Sequence, residues 1–430
     1  MRTTTLSILA VFMTFISTGC GGDTTSSIPS IDEARSTKQR VTAPNVNVSD
    51  LDTQVAGNNA FAFDLYQKLR TKASGNVFYS PYSISSALAM VHAGARGATE
   101  TQSAKAMAYA LPQDRLHQVF NKVDLELKSR GQGKKGSDAK PFRLNVVNAI
   151  WGQRDYHFEA SYLDTLAVNY GAGLRLMDFA TQPDPSRLVI NRWVEDQTEN
   201  RIKDLLPPGS IDTLTRLVLT NAIYFNAAWA KPFDAKDTKD GPFTLRDGTT
   251  VTTSLMAGSK AASYTDAGDF AAVALPYDGH ELSMLLIVPD AGKFDAVEAT
   301  LSAAVVDATV KQLKSAVVTL TLPKFEFGTR YKLNDHLKAL GMTDAFDSGL
   351  ADFSGMTGNH DLYIGLVQHN AFIKVDEKGT EAAAATAVVM PPIGIPDYKT
   401  LTIDRPFIFL IRDHATGTIL FVGRVLNPAA

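Results

Sequence analysis

The segment from Val375 to Met390 reads Val-Asp-Glu-Lys-Gly-Thr-Glu-Ala-Ala-Ala-Ala-Thr-Ala-Val-Val-Met, and it narrows the possible folds more than any other part of the chain. At the two-residue period of a strand, Thr380, Ala382, Ala384, Thr386, Val388 and Met390 share one face, and none of them is charged. Glu381 falls on the other face. A stretch patterned this way can enter the middle of a sheet without burying a charge. The same run also suits an Ala-rich surface helix, because Ala is the best helix former. Composition alone leaves both readings open. The following Pro391-Pro392-Ile393-Gly394-Ile395-Pro396 is extended and poor in ladder donors, which suits display to solvent.

Around this segment lies a chain with room for a large core: 430 residues, 45% hydrophobic. At roughly 100–200 residues per domain that length would allow two or three domains. From Leu51 to Ala430, however, the composition stays globular with no repeat and no second linker, so one domain over 51–430 is expected. Helical periodicity marks 60–69, Ile84 to Ala95 and Asn191 to Leu206, with Asn76 as turn former and Ser80-Pro81 as a cap. Strand character marks Leu217 to Phe225, Leu282 to Val288, Val317 to Leu322, Ala371 to Val375, Phe407 to Ile411 and Ile419 to Val425. Helices come early and strands late, which argues for an α+β fold.

The N-terminus reads as a secretory signal, with Arg2 before an apolar stretch from Leu6 to Ile16 that is too short to span a bilayer. Ile16-Ser17-Thr18-Gly19-Cys20-Gly21 resembles the lipobox of bacterial lipoproteins, with Ser17 where Leu is usual. That resemblance implies a signal peptide over 1–19 and acylation of Cys20, the only cysteine. The residues after Cys20 lack the acid that retains such proteins in the inner membrane, so the expected location is the outer membrane, on its periplasmic or cell-surface face. Residues 20–50, rich in Ser, Thr, Gly, Asp and Asn, read as a flexible tether.

Several chemistries have no basis in the sequence. A formal charge of -3 offers no field for nucleic acid. One cysteine permits no disulfide framework or multi-cysteine metal site. GxSxG and HExxH are absent, and the eight histidines do not pair at metal-ligand spacing. Gly131-Gln132-Gly133-Lys134-Lys135-Gly136 fits GxGxxG but follows a charged segment, so it reads as a solvated connector. Arg130, Lys134, Lys135 and Lys140 form a basic cluster that could meet a polyanion. No catalytic residues, cofactor or metal are expected.

Ordered landmarks then decide between the two readings of the Ala run. Glu377 to Ala383 has the form Glu-x-Gly-Thr-Glu-Ala-Ala. It is accompanied by Asn76-Val77-Phe78-Tyr79-Ser80-Pro81, Gly94-Ala95-Arg96-Gly97-Ala98-Thr99, Asn191-Arg192-Trp193-Val194 and Thr220-Asn221-Ala222-Ile223-Tyr224-Phe225. Leu322-Pro323-Lys324-Phe325, Asp404-Arg405-Pro406-Phe407 and Phe421-Val422-Gly423-Arg424 follow in order. From about residue 55 to its end the chain resembles the serpins.

The resemblance implies three β-sheets, about nine helices and an exposed reactive loop between Glu377 and Arg405. It also implies a non-enzymatic, monomeric suicide inhibitor whose partner is a serine endopeptidase. The cleaved loop would insert into the central sheet while the protease is held as an acyl-enzyme. Glu377, Gly379, Thr380, Ala382 and Ala384 correspond to the hinge, Ser80, Ser83, Asn221 and His369 to the polar cluster beneath the sheet, and Trp229 to the aromatic residue under the point of insertion. The other class within the family is a non-inhibitory binding or chaperone-like protein; Thr380 and the Ala run, where insertion would begin, hold no charged, bulky or proline residue, which favours inhibition.

Sixteen positions beyond Glu377 lies Ile393, which makes Ile393-Gly394 the expected scissile bond. Counting back from Pro406 points instead toward Ile395, but Ile395 and Met390 each precede a proline, whose nitrogen lacks the N–H a protease needs. An apolar β-branched residue suits elastase-like or subtilisin-like pockets, not trypsin-like ones.

Overall fold

A computed structural model of the chain describes residues 31–131, 143–380 and 397–430. The described residues from Ile31 onward form one unit. Its helix starts follow local chemistry. Asn47 caps the helix Val48–Arg70 by accepting from the Asp50 N–H at 2.7 Å. Ser80 caps Pro81–His92 by accepting from the Ser83 N–H, with proline in the first turn where its missing donor matters least.

The helix expected over 191–206 instead spans Pro183–Gln197. Thr198 closes it, and Glu199 and Asn200 adopt left-handed backbone that a continuing helix would not accept. Ten α-helical segments occur among the described residues.

Strands make two hydrogen-bonded networks. The first runs in the order Glu33–Ala34, Leu174–Met177, Arg143–Gln153, Leu217–Ala228, Gly379–Thr380, Leu366–Asp376, Phe325–Lys332. The second holds nine strands. The three expected sheets appear as two networks because the strand Thr250–Asp266 is shared. One end of it pairs with Lys239–Thr244, the other with Phe270–Pro276.

Within the second network Phe78 stacks on Phe421 at 5.1 Å, and Phe225 of the first network meets Phe421 edge-on at 5.5 Å. On the opposite face of the first sheet, Ile190 and Val194 of the helix Pro183–Gln197 bury Ala149, Trp151, Val218 and Ala222. The two central strands of that sheet are thus covered on both sides, which suits their near-continuous apolar sequences.

Residues 31–47 differ from the expected tether. Glu33–Ala34 adds an antiparallel strand to Leu174 and Arg175, and the Val41 N–H donates to the Val168 carbonyl at 3.0 Å. Arg40 Nε donates to Asn121 at 2.8 Å and its Nη2 to Asp124 at 2.6 Å. Ser36 and Lys38 both bond Asp164. The segment lacks apolar periodicity because single polar side chains, each finding a partner far along the chain, hold it in place.

Candidate functional site

The strands Leu217–Ala228 and Leu366–Asp376 run parallel and pair directly from Val218↔Leu366 to Tyr224↔Phe372. Beyond that point they part. Gly379–Thr380 lies between them, pairing antiparallel with Asp376 and Val375 on one side and with Ala228 and Ala227 on the other. The start of the charge-free run is therefore already a two-residue strand in the middle of the sheet.

Gly379 is required here, since a Cβ would sit 2.2 Å from the Ala227 carbonyl oxygen and 2.8 Å from the Ala228 Cα. Thr380 is 1% exposed, and its hydroxyl bonds Tyr277 OH at 2.8 Å. Burial pushes the Tyr277 phenol up, so it stays neutral.

A turn receives the hinge. The Trp229 N–H donates to the Lys378 carbonyl at 2.9 Å, its Nε1 to the Asp376 carbonyl at 3.0 Å, and the Phe233 N–H to the Glu377 carbonyl at 2.7 Å. The Trp229 ring stacks on Tyr277 at 4.8 Å with 8° between planes. Burial disfavours the Glu377 carboxylate, but bonds from Lys324 at 2.9 Å and Thr238 at 2.8 Å hold it below the usual range. Trp229, expected under the point of insertion, touches the hinge directly.

Lower in the sheet, Asn221 and His369 are opposite each other in the parallel register. The Ser80 N–H donates to His369 Nε2 at 3.2 Å, so the ring proton is on Nδ1, which donates to Asn221 Oδ1. Asn221 Nδ2 donates to Ser83 Oγ at 2.6 Å and also to Asn148 Oδ1. Ser80 Oγ donates to the Leu420 carbonyl at 2.6 Å, which ties the cluster to the second sheet. Burial lowers His369 to about 3, so the imidazole is neutral at physiological pH.

The structure thus brings together all four residues expected here. It adds Asn148, an amide between apolar residues of the strand Arg143–Gln153, which also donates to the Ser83 carbonyl at 3.1 Å. That amide, flanked by Val146, Val147, Ala149 and Ile150, was the available sequence signal.

Ala382, Ala384, Met390, Ile393, Gly394, Ile395 and Cys20 lie outside the described residues, as do Lys134, Lys135 and Lys140. Arg130 is not free for a polyanion: Nε and Nη2 grip Asp413 at 2.7 and 3.2 Å. Among the described residues no group of His, Cys, Asp or Glu could hold a metal ion.

The sheet is thus closed below over a polar cluster and parted above by the two-residue strand Gly379–Thr380. Residues 56–428 match the family model "Serpin (serine protease inhibitor)". An uncharacterized serpin-like protein of Thermococcus kodakarensis is 41% identical over 373 residues, 86% of this chain and 84% of that one. Leukocyte elastase inhibitor A of Mus musculus is 37% identical over 383 residues, 87% of this chain and 99% of its own. The crystal structure of the thermophilic serpin tengpin in its native state superposes with a TM-score of 0.79 at 28% identity, covering 92% and 99% of the two chains. The chain belongs to the serpin family, and its relatives among the leukocyte elastase inhibitors support protease inhibition as the general function.

Proposed function

We propose that the protein inhibits serine proteases irreversibly, as a suicide substrate whose cleaved loop completes the central sheet. The observation that carries this reading is the position of Gly379–Thr380 between two strands that pair with each other lower down. Insertion from that starting point breaks the direct pairs from Val218↔Leu366 to Tyr224↔Phe372 and replaces each by two ladders to a new antiparallel strand. The Asn221–His369 contact lies across the line of parting, so the polar cluster must exchange partners as the strand passes. The protease supplies the acylation chemistry; the inhibitor supplies conformational free energy.

The remaining assignments belong to the same proposal. Ile393-Gly394 is the scissile bond, elastase-like or subtilisin-like enzymes are the targets, and the inhibitor is a monomer without catalytic activity of its own. Cys20 carries the lipid that fixes the domain to the outer membrane. Similarity to leukocyte elastase inhibitors supports the apolar specificity.

Incubation of residues 31–430 with a panel of serine proteases, read on a denaturing gel, tests the reading. A covalent complex with an elastase-like or subtilisin-like enzyme, and a released fragment whose mass begins at Gly394, is the expected result. Cleavage with no complex across the panel would reject inhibition in favour of a binding role; a fragment beginning elsewhere would reject the register.

A further inference from the structure

The turn that receives the hinge rests on a buried amine that the sequence pattern gave no reason to notice. Lys260 lies within the strand Thr250–Asp266 and is 5% exposed. Its Nζ donates to the Lys231 carbonyl at 2.8 Å and lies 3.4 Å from the centre of the Phe233 ring. Gly258, two residues earlier on the same strand, leaves space beside the Phe233 ring, so ring and amine pack on one strand face. Residues 229–233 also carry both main-chain N–H groups that hold the start of the hinge, Trp229 to the Lys378 carbonyl and Phe233 to the Glu377 carbonyl.

We propose that Lys260 is a positioning residue for loop insertion. Its ammonium clamps the 229–233 turn from behind, so that the turn presents its two N–H groups to Lys378 and Glu377 in fixed register. The proposal rests on the insertion mechanism above for its functional consequence, but not for its geometry.

The clamp depends on charge. An ammonium makes a charge-assisted bond to the carbonyl and an attractive contact with the ring face, whereas a neutral amine retains only a weak donor. Burial, with a smaller contribution from the neighbouring Lys231, lowers Lys260 to about 7. The facing strand Lys314–Pro323 pairs Val318 with Lys260 and brings no titratable side chain between Ala316 and Leu322. Asp234 is committed to Lys236, and Glu377 to Lys324. The cation therefore has no carboxylate of its own and titrates close to neutrality. The clamp is tight below that range and slack above it.

Incorporating 5-fluorotryptophan into the 31–430 chain gives a direct readout, because Trp229 spans the turn and the hinge and its resonance is assigned with Trp229→Phe. The wild-type resonance should shift between pH 5.5 and 9 with one midpoint near 7. Lys260→Met, which keeps the stem and removes the charge, should abolish the shift. Phe233→Leu, which removes the ring face that favours the cation, should move the midpoint to lower pH. With a trapped protease, Lys260→Met should raise the number of inhibitor molecules consumed per protease at least threefold at pH 6, converging with wild type by pH 8.5.

A Trp229 resonance that is flat with pH, or that titrates identically in Lys260→Met, overturns the assignment, as does equal partition of the two proteins at pH 6. If the titration is present and lost in Lys260→Met while the wild type traps no protease, the clamp stands and the inhibitory reading falls.

Discussion

Thr380→Arg places a cation at the first inserted position. The side chain there is 1% exposed, and its polar contact is the neutral Tyr277 hydroxyl at 2.8 Å. The hinge carboxylate, Glu377, is already bonded by Lys324 and Thr238, so an arginine at 380 finds no counter-charge. An uncompensated charge in such a setting costs about 3–5 kcal/mol. Position 380 is already between the strands before cleavage, so the arginine relieves this cost by expelling the hinge from the sheet. Every ~1.4 kcal/mol is tenfold in rate, so insertion that must then bring the residue back past Tyr277 slows by roughly a hundredfold or more.

Trapping is a competition between insertion and deacylation. If insertion normally wins by roughly tenfold, a hundredfold loss makes deacylation win by a similar margin, and cleaved inhibitor replaces the covalent complex. Thr380→Val grades the effect: it keeps shape and removes only the hydroxyl, leaving Tyr277 unpaired at about 1–3 kcal/mol. The expected order of complex yield against an elastase-like protease on a denaturing gel is wild type, then Thr380→Val, then Thr380→Arg with almost none. Undiminished complex from Thr380→Arg would refute the argument that position 380 must be buried during trapping.

Three further outcomes follow from separate parts of the molecule. His369, His117 and His92 are lowered by burial to about 3, 3 and 4 from an ordinary 6.5, so the unfolded chain binds more protons in that window. Their stabilisation is complete above about pH 6.5 and is lost as pH falls toward 3; thermal unfolding from pH 7 to 4 should show this, with a shallower slope for His369→Gln, and an unchanged slope would contradict it. Arg424 and Glu298 form an ion pair 2.7 Å apart with side chains 1% and 2% exposed, also bonded by Tyr66; Arg424→Met should cost on the order of 3–5 kcal/mol and lower Tm by several degrees, and an unchanged Tm would show that the pair is dispensable. Cys20→Ser should move the full-length protein from washed membranes to the soluble fraction, because each acyl CH₂ contributes about 0.8 kcal/mol to anchoring; retention in the membrane fraction would remove the lipid assignment.

How much of this was readable from the chain depended on whether a residue's role shows in its neighbours along the sequence. The hinge was readable because its pattern is local: every second residue from Thr380 to Met390 is uncharged, and Gly379 yields to a carbonyl 2.2 Å from where its Cβ would be. The strands Ile419–Val425 and Leu282–Pro289 were readable for the same reason, being buried at every position. The edge strand Phe325–Lys332, with Glu326, Gly328, Arg330 and Lys332 exposed on one side, carries the alternation but no continuous apolar run to mark it.

The residues that escaped are those whose meaning is made by a distant partner. Arg40 and Ser36 look like tether because Asn121, Asp124 and Asp164 are more than 80 positions away. Asn148 is one amide in an apolar run until Ser83 and Asn221 arrive from two other elements. Lys260 reads as the solvent-facing member of a strand until the 229–233 turn closes over it. Each of them joins elements that lie far apart along the chain: the N-terminal segment to two helices, a sheet strand to the helix Pro81–His92, and a strand of the second network to the turn beneath the hinge. A sequence pattern records what a strand can accept, whereas only the packed chain shows what has to let go before it is accepted.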